Sequence, residues 1–332
     1  MLLKTLSSRV GAILITLFGL TFGTLSASNA AEKQSFPWKP VRLIVTSPAG
    51  NVTDLNARLI GSKLTQIWGQ PVIVEQKVGA NGVIGAQYVV NAEPDGHTLL
   101  LTTTGLVQTW ALGTKMPYDI FKDLAPISQV FILRLGLVVT DKLNVTTLGS
   151  FIDLARQNPS KYKFGSFGVG STAHMVVAKL NHDQNLEILH VPYKGTTDSL
   201  RAVVAGEVDA ALLDPFIAKP YIEAGRLQIL ATTGGKRSAY SPNTPTFTEV
   251  GIDGFGVDNW AGWFAPAGVP KEILVKISED IKHVQSMPDV IADYERTGIE
   301  IANTTPDQFS AIVQRDAEYW RDLVASADVK ID

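Results

Sequence analysis

The chain has 332 residues, a net charge of −3 and no cysteine. With no basic stripe, nucleic acid is excluded as a partner class, and without cysteine there are no disulfides and no lipoprotein cleavage site, so stability must come from the core alone. The length exceeds what one hydrophobic core usually serves, which predicts two domains, and 28 Gly with 17 Pro fit the many short loops of an α/β protein.

Residues 1–30 read as a secretory signal peptide: Lys4 and Arg9 precede the apolar run Val10–Leu25, and Ser28, Asn29, Ala30 offer small residues for cleavage near Ala30. A run of about 16 residues is short for a membrane span. A periplasmic location and a mature form outside the membrane are therefore expected, and no other apolar segment reaches spanning length.

The mature chain opens with a strand at Val41, Leu43, Ile44, Val45, a break at Pro48, Ala49, Gly50, Asn51, and an amphipathic helix carrying Leu55, Leu59, Leu64 and Ile67. The first N–H groups of such a helix lack internal partners and sit at the positive end of its dipole, so the loop can hold an anion without a basic side chain. Pro71 starts a second strand, Val72–Glu75, completing a βαβ unit. A turn at Lys77–Asn81 then leads to a short helix, and the strand Thr98–Thr103 follows. Gly79, Gly82 and Gly85 have the wrong order for a dinucleotide fingerprint.

The polar, proline-bounded stretch 116–126 precedes the apolar run Val130–Thr140, read as a single strand crossing between domains at the hinge. After a helix at 148–157 the opening design recurs. The strand Tyr162–Phe167 enters Gly168, Val169, Gly170, Ser171, Thr172, and Ala173, His174, Val177, Leu180 continue as a helix. Each loop also reads as an ordinary strand-to-helix reversal, but ligands of open α/β sheets lie outside the carboxyl ends of strands, where both would sit.

Further strands are expected at 188–191, 208–213 and 227–232. Asp214 follows the second of these, placed either to cap the next helix or to read a donor on a ligand, and Tyr193 lies in a neighbouring loop. Gly262–Pro266 returns the chain toward the first domain. Three helices finish it, the last with Phe309, Ile312, Val313, Tyr319, Trp320 and Leu323 facing the core. The expected division is residues 36–130 plus 240–332 against 131–239.

A hydrolase would need a nucleophile and a base. Gly165, Ser166, Phe167, Gly168 falls one residue short of a nucleophile elbow, and Ser171 with His174 reads first as a helix cap. The histidines and acids form no close metal-ligand cluster, and His182–Asp183 reads as a solvated helix end. No metal, cofactor or catalytic residue is expected.

KPVRLIV with its Gly loop and Thr53, Asp54, then GQPVIVEQKVGANGVIGA, PDGHTLLL, MPYDIFKDLAPIS, FGSFGVGSTAHM, HVPYKGT, GEVDAALLD and GWFAPAGVPKEI resemble, in order and across the mature chain, the Bug-type extracytoplasmic solute receptors of tripartite tricarboxylate transporters. The resemblance implies a two-domain venus-flytrap fold of type II-like arrangement with its cleft between the domains, a monomer that binds a small organic acid, and a membrane permease as partner. It also implies that backbone amides and ordered waters of two loops, here Ala49–Asp54 and Gly168–His174, hold a ligand carboxylate. The first loop departs from the usual Pro-Gly-Gly pattern: Asn51 tolerates its dihedrals, whereas Val52 brings bulk and no hydroxyl. The candidate ligand-binding set is Ser47, Ala49, Asn51, Val52, Thr53, Asp54, Thr104, Gly168, Val169, Gly170, Ser171, Thr172, Ala173, His174, Tyr193 and Asp214. A ligand-presenting sensor, or a secreted hydrolase using Ser171 and His174, are the alternatives.

Overall fold

A computed structural model describes residues 35–298 and 300–327; the signal-peptide stretch lies outside them. The opening βαβ unit forms as its periodicity requires. Strand β1 (Val41–Val45) runs into helix α1 (Val52–Trp68), which is capped by Asn51 and stopped by Gly69, and β2 (Val72–Gln76) returns parallel to β1. Next come α2 (Val83–Val90), β3 (Thr98–Thr103), a helix α3 (Gly105–Ala111) with no clear sequence signal, and β4 (Leu124–Leu133).

The apolar run 130–140 is two strands, not one. Arg134 and Leu135 break it, and β5 (Gly136–Thr140) starts a second sheet. That sheet is completed by β6 (Lys163–Ser166), β7 (Leu189–Pro192), β8 (Ala210–Leu213) and β9 (Leu227–Thr232), with α4 (Leu148–Gln157), α5 (Thr172–Gln184), α6 (Thr196–Ala205) and α7 (Pro215–Glu223) in the intervals. The chain then returns through β10 (Asn259–Pro266), α8 (Lys271–Gln285), α9 (Pro288–Thr297), the short β11 (Glu300–Ile301) and α10 (Pro306–Ser326).

The six-stranded sheet has the order β11-β4-β10-β3-β1-β2 and the five-stranded sheet β7-β6-β8-β5-β9. In the first, β10 runs antiparallel between β3 and β4, with Leu133 opposite Asn259; in the second, Gly136 lies opposite both Leu213 and Thr232. The two passages between the sheets thus run side by side. Leu135 and Thr233 tie them together: Thr233 N donates to Leu135 O at 2.8 Å, and Leu135 N donates to Thr233 Oγ1 at 3.0 Å. After the second passage the backbone of Pro245 and Phe247 bonds to Thr232 at the end of β9.

The described residues form one compact unit. One apolar cluster packs α1 and α8 on one face of the first sheet; another runs without interruption from α2, α3 and α10 into α5 and the second sheet. Phe309, Val313, Trp320 and Leu323 are buried in the latter as expected, while Ile312 and Tyr319 pack only partly against it. Helix α10 comes so close to β10 that Phe309 lies where a side chain at 262 would stand, which is why Gly262 occupies mid-strand. Fully burying each such aromatic contributes roughly 1.5–3 kcal/mol.

Candidate functional site

The first loop is built around its own carboxylate. Asn51 Oδ1 accepts from Asp54 N at 2.9 Å, and Asp54 Oδ2 accepts from Gly50 N at 2.8 Å, a reciprocal cap. Asp54 is buried, with Gln76 Nε2 at 2.5 Å and the Arg58 guanidinium at 3.1 Å. Burial pushes its pKa up, but the bonds from Arg58, Gly50 and Gln76 outweigh it and hold the carboxyl below the usual range. Asp54 is thus a structural anchor whose charge is met by Arg58, one helix turn further on. Ser47 and Thr53 are buried, Ala49 is exposed and Val52 partly buried. The N–H groups of Val52 and Thr53 have no partner among the described residues.

The second loop is equally self-supporting. Ser171 Oγ donates to Gly168 O at 2.6 Å and accepts from His174 N, while Gly170 N donates to His174 Nδ1 at 3.1 Å. The imidazole therefore bonds its own loop, and neither Ser171 Oγ nor His174 Nδ1 is free to act on the other as nucleophile and base. His174 stacks on His190 with centroids 4.2 Å apart, and His190 Nε2 lies 2.6 Å from Ser166 Oγ. Burial, and then the neighbouring His174, push the pKa of His190 down to about 4; burial alone lowers that of His174. Both rings are neutral at neutral pH. The N–H groups of Val169, Thr172 and Ala173 have no partner among the described residues.

Elements of the first sheet reach the second loop. Gly79, Ala80, Asn81 and Gly82 all have positive φ, at 140°, 45°, 50° and 100°, a run that turns the chain sharply after β2 and is costly for Ala80. It sets Asn81 Nδ2 3.0 Å from Val169 O, and Gly82 against Thr46 and Thr102 at the ends of β1 and β3. Gln108 of α3 donates to Thr172 Oγ1 at 2.7 Å, and Thr172 Oγ1 donates to Asn259 Oδ1 at 2.5 Å, all three side chains being buried. The Thr172 hydroxyl is thereby committed to protein on both sides. Thr104 bonds the backbone of Trp260 through its hydroxyl, which joins β3 to β10.

Asp214 caps α7, its Oδ1 accepting from Phe216 N at 2.8 Å. Tyr193 is partly exposed beyond β7, with Tyr193 N donating to Ser166 O. Sequence reasoning missed Asn81, Gln108, Asn259 and His190. Of these only Asn81 carried a signal, as the Asn of a Gly-Ala-Asn-Gly turn. Among the described residues there is no cluster of metal-ligating side chains, and no helix is long and apolar enough to cross a membrane.

Residues 56–329 match the tripartite tricarboxylate transporter family receptor. The chain belongs to this family. It is 32% identical over 302 residues to a protein of Pseudomonas sp. (strain P51), covering 91% of this chain and 90% of that one, and 28% identical over 320 residues to BugT of Bordetella pertussis, covering 96% of this chain and 98% of BugT. A protein of R. palustris solved with adipate superposes with a TM-score of 0.81 at 29% identity, covering 89% of this chain and 99% of that one. MatC from Rhodopseudomonas palustris, solved with bound malate, gives 0.78 at 28%, covering 87% and 100%. The two-sheet α/β architecture is accordingly that of a periplasmic solute-binding protein, and the family and the solved structural neighbours are binding proteins.

Proposed function

We propose that this receptor captures a small carboxylate-containing metabolite between its two sheets and delivers it to a tripartite tricarboxylate-type permease. The observation that carries the reading is the pair of cation-free loops at the carboxyl ends of β1 and β6, each opening a helix and each leaving amides unpaired: Val52 and Thr53 in the first turn of α1, and Val169 in the loop with Thr172 and Ala173 in the first turn of α5. Such donors suit a carboxylate, since hydrogen bonds to a charged group contribute about 1.5–3 kcal/mol each. The adipate and malate held by the two solved relatives are of this chemical class.

In this reading residues 36–130 with 240–332, and 131–239, are two lobes that hinge at the passages around Leu135 and Thr233 and close on the ligand. The mature protein acts in the periplasm after cleavage near Ala30, as a monomer and without catalysis. A thermal scan of purified mature protein against carboxylates, amines, sugars and nucleotides tests it. Ligand at 100 times its Kd should add about 2.7 kcal/mol of stability, seen for a mono- or dicarboxylate; stabilisation by sugars or cations alone overturns the reading.

A further inference from the structure

The second loop rests on two imidazoles. Gly170 N donates to His174 Nδ1 at 3.1 Å, so Nδ1 is an acceptor and the single proton of that ring sits on Nε2. Ser166 Oγ accepts from Gly168 N at 3.2 Å and donates to Gly168 O at 3.1 Å, which leaves the proton between it and His190 Nε2, 2.6 Å away, to the imidazole. One ring thus holds Gly170, and the other, through Ser166, holds Gly168. The rings stack with centroids 4.2 Å and planes 15° apart, which joins the two supports into one unit.

A proton on His174 would turn Nδ1 into a second donor facing the Gly170 N–H, and no flip of the ring restores an acceptor, because both nitrogens of an imidazolium carry protons. The turn has no slack to move aside. Gly170 has a φ of 75°, and Leu112 Cδ1 and Asn81 Nδ2 lie 2.9 and 3.0 Å from where its Cβ would stand. The charged groups on the elements around the pair are engaged with one another or exposed: Arg315 with Asp316 on α10, Asp198 with Arg201 on α6, Lys179 and His182 with Asp183 late in α5, and Lys163 and Lys194 in solvent. Asp214, beyond β8, caps α7, and Tyr193 is pushed above its ordinary range by burial and then Glu207, so it stays neutral.

We infer that His174 and His190 are positioning residues of the second ligand loop, holding the backbone of Gly168 and Gly170 in its anion-binding form only while both rings are neutral. Carboxylate capture and protonation of the pair then exclude one another. The inference rests on the carboxylate-receptor reading above. By linkage, a proton that weakens capture requires the captured carboxylate to lower the His174 pKa, the opposite of what direct contact between an imidazolium and the carboxylate would do.

The test begins with NMR of ligand-free mature protein titrated from about pH 7.5 to about pH 4, across the range of histidine. The Gly170 amide should move with the midpoint of the His174 ring, and His174→Asn, which keeps an acceptor where Nδ1 stood but takes up no proton, should abolish the movement. A Gly170 amide that ignores protonation of His174 overturns the positioning role. Adipate and malate are the binding probes. Saturation with either should lower the His174 midpoint by about one unit, matched at the acid end by a calorimetric affinity loss about tenfold greater than that of His174→Asn, the probe's own protonation being common to both proteins. His190→Gln, which keeps a donor toward Ser166, should bind like wild type at neutral pH and His190→Leu more weakly, with melting temperature monitoring the fold. A His174 midpoint that rises on saturation, or equal acid weakening of wild type and His174→Asn, overturns the inference and leaves the receptor reading standing. If neither acid binds at any pH, the carboxylate reading fails and this inference with it.

Discussion

Asn81 Nδ2 donates to the carbonyl oxygen of Val169 at 3.0 Å, so a side chain between β2 and α2 of the first sheet holds the backbone of the loop that follows β6 in the second. The bond needs the left-handed backbone at Asn81, with φ at 50°, which Asn adopts far more readily than a β-branched residue. Asn81→Gly should keep the turn and lose the bond, weakening carboxylate binding by about 0.5–1.5 kcal/mol with little change in melting temperature. Asn81→Val should lower melting as well, because the dihedral itself becomes strained. Calorimetric titration beside a thermal scan separates the two effects.

Gly170 is more constrained. Its φ is 75°, and a Cβ there would lie 2.9 Å from Leu112 Cδ1 and 3.0 Å from Asn81 Nδ2. Gly170→Val should therefore abolish measurable binding, and Gly168→Val, at a φ of 138° where a Cβ would make only ordinary contacts 3.9 Å from Asn81 Oδ1 and Tyr193 O, should weaken it strongly through backbone geometry. If folded protein of both variants binds like wild type, the second loop is a plain connection and the ligand sits elsewhere.

Thr172 is a matter of stability. Truncation to Ala strands Gln108 Nε2 and Asn259 Oδ1, both buried, beside a missing hydroxyl, and an unsatisfied buried polar group costs about 1–3 kcal/mol. Denaturant unfolding should show a loss of that size for Thr172→Ala and a much smaller one for Thr172→Ser, which keeps the hydroxyl. A Thr172→Ala variant with unchanged stability and impaired binding would return the hydroxyl to the ligand.

His190 makes stability pH-dependent. Its folded pKa of about 4 lies below the reference of 6.5, so between those values the unfolded chain binds more protons. The contribution is fully present above about pH 6.5 and is lost as pH falls toward 4. Histidine-ring NMR should show His190 titrating near pH 4 in folded protein; a midpoint near 6.5 would mean that the stacked, buried pair does not hold.

The two Gly loops were legible because strand, turn and helix announce themselves locally: an apolar run, a breaker, then a 3.6-residue period. The break at Arg134 was hidden, since a two-residue link inside an apolar run leaves no such mark, and α3 was hidden because Gly105–Ala111 is short and buried on nearly every side, Gln108 and Thr109 included, so it shows no amphipathic period. Asp54 entered the candidate set through the resemblance of the loop Ala49–Asp54; Arg58 and Gln76, which hold it, come from the next turn and the next strand. Gln108 and Asn259 were out of reach, being far apart in sequence and joined only where α3, α5 and β10 converge.

The pairing of Leu133 with Asn259 also bears on the order in which the molecule folds. These partners are separated by the whole second sheet, so closing β4 onto β10 from an unfolded chain means ordering a very long loop, a large entropic cost set against a single contact. Pairing Gly136 with Thr232 removes most of that cost, because the ends of the second sheet then emerge side by side and deliver β10 to its place. The second sheet thus acts as a clasp that shortens the search, and it is expected to form before the first sheet can be completed.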